Sequence, residues 1–172
     1  MVRNWNIQLH PAVLVMRNFT LITAAVLLAG YAYAVDDANL LNAIGDVETG
    51  SHQNSRLAVG DLGKARGRYQ QHRGSFIDGC TQLMREGKSA YSFDQWKSPM
   101  VQDDVALAYI RWIRDRMANA GLPHPTAEQI ALCWNYGFSK SKAIKFDITK
   151  APTDARDYAT RVGNLIRATK TI

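Results

Sequence analysis

The sequence predicts an α+β domain, predominantly α, with a small glycine-rich β/loop lobe. Apolar residues recur at helical spacing along most of the chain, while residues 58–72 hold three glycines and show no helical period. The composition, 47% hydrophobic and 21% charged over 172 residues, is that of one ordinary globular domain rather than a disordered or collagenous chain. A chain of this length buries a sizeable core without help from a metal. No internal repeat is visible, which excludes solenoids and propellers.

The first segment reads as an address. Residues 19–34, FTLITAAVLLAGYAYA, carry no charge and end in Ala32-Tyr33-Ala34, with Arg17 just before and Asp36-Asp37 just after. A basic flank, an apolar stretch and small residues at its end are the parts of a secretory signal, so residues 1–34 are expected to be a signal peptide. Met16 makes a tidier start than Met1, because MRNFTLITAAVLLAGYAYA is a complete signal by itself. The alternative is an uncleaved anchor helix, for which the run is borderline short of the roughly 20 residues a span needs. Residues 35–172 then form one domain, secreted or periplasmic, which meets the membrane only transiently through its leader. Export bears on the cysteines. Cys80 and Cys133 are the only two, and an oxidising compartment favours a disulfide between them, the alternative being two buried free thiols. Neither they nor His52, His72 and His124 show metal-ligand spacing, so no metal and no cofactor is expected.

Each element has a local cause. Asp36 and Asp37 can cap a first helix whose apolar face is Leu40, Leu41, Ile44 and Val47, ended by Thr49-Gly50-Ser51. Residues 58–72 read as short strands or an ordered loop. Ser75 opens a second helix with Phe76, Ile77, Cys80, Leu83 and Met84 on its apolar side, closed by Gly87. Residues 88–97 read as a loop. Ser98-Pro99 starts a long third helix through Val101, Val105, Ala108, Trp112, Ile113 and Met117, stopped by Gly121. Thr126 and Gln129 form a capping box for a fourth helix, which carries Ile130, Ala131, Cys133 and Trp134 and ends near Asn135-Tyr136-Gly137. Residues 138–152 read as a polar linker. Ala155, Tyr158, Ala159, Val162, Leu165 and Ile166 make the stripe of a final helix.

Two regions could carry chemistry. Glu48 follows the core residue Val47 at the C-terminal end of the first helix, where the helix dipole and partial burial both disfavour a carboxylate. Both effects raise its pKa, and a carboxylic acid kept neutral can protonate a glycosidic oxygen. The second region is GDLGKARGRYQ, residues 60–70, whose glycines let backbone approach a ligand closely. Within it Tyr69 offers a ring for sugar stacking and Gln70 an amide. Neither phosphate-binding glycine pattern is present. Lys64, Arg66, Arg68 and Arg73 form a basic cluster, and the whole chain carries a formal charge of +6, which suits an anionic partner.

The order of the pieces resembles the lysozyme-like superfamily, in particular the goose-type lysozymes and soluble lytic transglycosylases. The pieces are AIGDVETG, then GDLGKARGRYQ, then CWNYG, then RDYATRV, and the resemblance covers about residues 39–166. It implies a lysozyme-like fold, and a glycosidase that cuts the β-1,4 bond between N-acetylmuramic acid and N-acetylglucosamine in peptidoglycan. Residue by residue, it implies that Glu48 is the general acid/base and that Tyr69 and Gln70 line the cleft. It implies that Asn135 and Gly137 bind substrate and that Tyr158 orients Glu48 by a hydrogen bond. Tyr158 also lies in the apolar stripe, and packing is compatible with that role. The sequence departs from the family pattern at Arg68, Gln71 and Trp134, which bears on subsites and leaves the acid in place.

A second carboxylate is less evident. Retaining glycosidases set two carboxylates about 5 Å apart and inverting ones roughly 6.5–9.5 Å. Asp61 is the acid of the glycine-rich lobe and could position water, whereas Asp46 faces another side of the helix from Glu48. Lytic transglycosylases are implied to manage with a single Glu and to leave a 1,6-anhydro end. The expected partner is the peptidoglycan glycan strand, met by a monomer. The alternative, from another class, is a non-catalytic glycan-binding or structural component of a cell-envelope apparatus on the same scaffold. Nucleic acid is not expected as a partner, because Trp112 and Trp134 lie on core faces instead of alternating with arginines on an exposed one.

Overall fold

The computed structural model describes residues 36–50 and 54–169. The signal-peptide reading of residues 1–34 and the start at Met16 lie outside the described residues. Helix α1 (Asp37–Thr49) begins where the Asp36 carboxylate accepts a hydrogen bond from the Asn39 amide at 3.2 Å. Helix α2 (Arg73–Arg85) starts two residues before Ser75, whose hydroxyl donates back to the His72 carbonyl at 2.9 Å. Helix α3 (Pro99–Asn119) has Ser98 as its cap and proline in its first turn. Helix α4 (Ala127–Tyr136) opens on the complete Thr126–Gln129 capping box. Helices α5 (Phe138–Ala143) and α6 (Thr153–Thr169) follow. The result is a predominantly helical domain with a small two-stranded antiparallel sheet.

Two loop assignments need correction. Residues 88–97 contain a 3₁₀ turn, Phe93–Lys97, opened by a Ser92–Gln95 capping box. Its Phe93 ring packs edge-on against Phe76, with centroids 5.2 Å apart. Residues 138–152 hold α5 and a second 3₁₀ turn, Ile148–Lys150, with Phe138, Ser141 and Phe146 buried. Both stretches are too short, and too rich in Lys and Ser, for a helical period to show.

The core forms two clusters that share α3. One cluster joins Leu40, Leu41 and Ile44 of α1 to Ile110, Ile113 and Met117 of α3, Ile130 and Leu132 of α4, and Ala159 and Val162 of α6. A smaller cluster joins Phe76, Cys80 and Leu83 of α2 to Val101, Val105 and Ala108 of α3. Helices α2 and α3 cross closely at Gly79, where a Cβ would lie 2.4 Å from the Val105 carbonyl oxygen. Only a residue without a side chain fits there.

The expected disulfide is absent. Cys80 and Cys133 are free thiols, both buried, one in each cluster. Cys80 Sγ donates to the Tyr91 carbonyl at 3.4 Å, and Cys133 is hydrogen-bonded with Ser141. Both apolar faces are satisfied separately, in two different clusters, so the alternative of two buried thiols describes this fold. Among the described residues no helix is long and apolar enough to cross a membrane.

Residues 54–71 form the small lobe. Strands β1 (Val59–Gly60) and β2 (Ala65–Arg66) pair antiparallel, Val59 with Arg66 and Gly60 with Ala65. The turn between them puts Asp61 and Leu62 in the left-handed region, at φ 46° and 52°. Polar side chains of α3 hold the lobe. Gln102 accepts from the Arg68 amide at 2.9 Å and donates to the Arg56 carbonyl at 2.7 Å. Asp103 pairs with the Arg56 guanidinium and accepts from the Tyr69 hydroxyl at 2.5 Å.

Candidate functional site

A cleft of about 460 Å³ opens between the lobe and the helical core. The last turn of α1 supplies Glu48 to its wall, the lobe supplies Asp61, Ala65 and Gln70, and the end of α4 supplies Trp134, Asn135 and Tyr136. His72 and Ser75, at the start of α2, complete the rim with Gly137.

Glu48 is half-buried and held from two sides. The Tyr158 hydroxyl of α6 donates to Glu48 Oε1 at 2.8 Å, across 110 residues of chain. The Trp134 indole donates a second hydrogen bond to the carboxyl. Burial pushes the Glu48 pKa up to about 7, and this outweighs the two hydrogen bonds and the Arg161 charge, which favour the ionised form. Tyr158 is itself buried in the main core cluster, and burial beside the Glu48 carboxyl raises its pKa well above the usual phenol value. Packing and hydrogen bonding are thus combined in one side chain.

The other candidates divide. Asn135 is exposed on the last turn of α4 and lines the cleft. Gly137 sits just beyond, at φ 91°, where it ends α4 and begins α5. That left-handed conformation suits glycine and allows the chain to turn immediately below Asn135. Gln70, at φ 45°, lines the cleft, but its amide nitrogen is engaged with the Gly67 carbonyl at 2.8 Å. Asp61 is exposed on the lobe, with its Oδ2 at 3.5 Å from His72 Nε2.

Tyr69 requires correction. Its ring is 2% exposed, packed in the main core cluster, and it does not line the cleft. The hydroxyl is spent on Asp103, and burial is the main reason its pKa rises. Tyr69 therefore ties the lobe to α3 and offers no face for a sugar. The basic cluster of the lobe is also partly committed. Arg68 pairs with Asp46 at 3.1 Å, and Arg66 lies over the Trp96 ring at 5.4 Å.

Sequence reasoning missed His72, Ser75 and Tyr136, and it placed Trp134 only as a departure bearing on subsites, not as a partner of the acid. Trp134 stood on the apolar stripe of α4, and its ring does pack on Tyr109 at 5.2 Å. Its indole edge nevertheless reaches the acid, and adjacency to Asn135 was the available signal. His72 carried no ligand spacing, and only the fold brings it to Asp61. Among the described residues no group of three His, Cys, Asp or Glu side chains could hold a metal ion. No family model, curated protein or solved structure matches the chain. Fold and site by themselves therefore define a helical domain whose cleft presents a carboxylic acid poised near neutrality.

Proposed function

We propose that this chain is an exported peptidoglycan glycosidase with a lysozyme-like fold, a lysozyme or lytic transglycosylase, acting as a monomer in the periplasm or outside the cell. Its substrate is the glycan strand, cut at the β-1,4 bond between N-acetylmuramic acid and N-acetylglucosamine. The observation that carries this reading is the half-buried Glu48, held by Tyr158 and Trp134 with its pKa near 7 at the wall of a cleft. The order of sequence pieces shared with the lysozyme-like superfamily supports it.

The chemistry follows from one proton. Glu48, protonated, gives its proton to the bridging oxygen as the bond from that oxygen to C1 breaks. The Glu48 carboxylate then takes a proton from the incoming hydroxyl, and that hydroxyl's oxygen bonds to C1. The hydroxyl belongs to water in a hydrolase, with Asp61 across the cleft available to position it. In a transglycosylase it is the sugar's own 6-hydroxyl, which leaves a 1,6-anhydro end. Neither route needs a cofactor. Asn135 is exposed beside the acid and available to the N-acetyl groups.

Mass spectrometry of products from purified peptidoglycan tests the proposal. The protein is expected to release muropeptides with reducing or 1,6-anhydro ends. Glu48→Gln is expected to fold and to lose activity by at least ~100-fold, the usual share of a general acid/base. Wall clearance by that variant at the original rate refutes the assignment of the acid. Binding without turnover by the unsubstituted protein makes it the non-catalytic alternative.

A further inference from the structure

The turn that joins β1 to β2 carries a leucine that nothing in the fold covers. Leu62 is 100% exposed, at φ 52° and ψ 35°. In the left-handed region Cβ crowds the following carbonyl, so leucine is strained there where glycine or asparagine is at ease. Burial would offset that cost, and this side chain has none. Leu57 and Val59, on the same lobe, are more than half exposed. So is Met100, next to the Pro99 carbonyl that accepts from Arg56 of the lobe. Of the seven large apolar side chains exposed among the described residues, these four gather on the lobe and on the start of the helix that grips it, which makes a patch and not a scatter.

The charge around that patch has one sign. Residues 54–73 hold five Lys and Arg side chains against the single carboxylate of Asp61, so the lobe is basic by itself. Arg56 and Arg68 are paired with Asp103 and Asp46. Lys64, Arg66 and Arg73 form no salt bridge among the described residues. Arg66 belongs to the turn. Its partner across the strand pair is Val59, and a Cβ on Gly63 would sit 3.9 Å from its Nη2. Its guanidinium also lies over the Trp96 ring at 5.4 Å. Asp61, the acid of the turn, stands 3.5 Å from His72 and lines the cleft. In the neighbouring 3₁₀ turn Asp94 and Lys97 are both exposed and balance in formal charge. The projecting leucine is thus flanked by two unpaired cations, Lys64 and Arg66.

We propose that the tip of the small lobe docks on an anionic lipid surface, with Leu62 entering the interface and Lys64 and Arg66 meeting lipid phosphates. Buried apolar area and attraction to anionic headgroups are the two terms of interfacial binding, and the tip supplies both. A stable protein partner needs a broad complementary face, about 800 Å² on each side. A leucine standing clear of its surroundings offers a point, around which a lipid interface can close. An anionic polymer would use the cations and leave the strained leucine without a reason. Leu62 does not line the cleft, so this contact stands whether or not the chain is a glycosidase. Asp61, its neighbour in the chain, does line it, and docking therefore holds that wall of the cleft close to the membrane.

The test reads the tip directly in the full chain. Leu62→Cys takes a polarity-sensitive thiol label, because Cys80 and Cys133 are buried. Asn119→Cys, exposed at the opposite end of α3 from Gln102 and Asp103, takes the same label as a reference. With mixed phosphatidylcholine–phosphatidylglycerol vesicles the label at 62 is expected to shift to the blue and to be quenched by brominated lipid, and the label at 119 to do neither. Adding Lys64→Gln and Arg66→Gln is expected to raise the lipid needed for half the shift about fivefold per charge, and high salt to act the same way. In unlabelled chains, Leu62→Asn is expected to keep its melting temperature and to lower vesicle affinity about tenfold. Both chains carry the same residues 1–34, so the difference reads the tip. No quenching at 62, equal quenching at 119, or a half-point indifferent to the two charges overturns the proposal. So does unchanged vesicle affinity in Leu62→Asn. A blue shift that grows with protein concentration in the absence of vesicles also overturns it, and assigns the tip to a second copy of the chain.

Discussion

Glu48 shows how one side chain can set both activity and stability. Its folded pKa, about 7, lies above its ordinary value of 4.5. The folded state therefore holds a proton that the unfolded chain releases, and stability falls as pH rises through that window. Glu48→Gln, which mimics the protonated form, removes the penalty. The variant is expected to match the original protein in stability below pH 4.5 and to exceed it above pH 7, by on the order of 2 kcal/mol after allowance for solvent screening. Thermal melts across that range measure the difference. Tyr158 adds a second case. Its hydrogen bond favours the ionised carboxyl, so Tyr158→Phe is expected to raise the Glu48 pKa further and carry the alkaline limb of the pH–rate profile upward. A purely packing role for Tyr158 would leave that limb where it is.

At the scale of elements, α3 does most of the organising. Its buried residues serve both apolar clusters, and Gln102 and Asp103 in its first turns grip the lobe that bears Asp61 and Gln70. The close crossing at Gly79 is the sharpest constraint. Gly79→Ala would drive a methyl group into the Val105 carbonyl and is expected to cost roughly 1–3 kcal/mol, read by denaturant unfolding. The helices of this framework were legible because their caps are written in adjacent residues: Asp36, Ser98-Pro99 and Thr126–Gln129 all act within three or four positions. The turn at Phe93–Lys97 carries a local signal that went unread, the Ser92–Gln95 capping box, because so short a turn shows no helical period. It and helix α5 are also held by contact with distant residues, such as Phe93 with Phe76 and Phe138 with Trp112.

Over the whole molecule, the two thiols report on how the core is divided. They lie in separate clusters and make separate hydrogen bonds. Reductant is expected to leave the melting temperature unchanged, and alkylation after denaturation without reductant is expected to label both Cys80 and Cys133. A protein that takes up label only after reduction would contradict this arrangement. The cleft has the same long-range origin. Glu48, Asp61, Asn135 and Tyr158 come from four elements spread over 110 residues, and the packing of α1, α4 and α6 closes that distance.

The sequence by itself determined where the major helices start and stop, where the glycine-rich lobe lies, and which acid is worth suspecting. Those properties depend on periodicity, caps and backbone freedom, which act over a few residues. Only the tertiary structure decided that Tyr69 turns inward to Asp103, that Trp134 reaches the acid, and that the cysteines remain apart. An amphipathic side chain such as Tyr or Trp carries both an apolar face and a polar edge. Which of the two meets solvent, and which meets a partner, is set by what packs against it from elsewhere in the chain.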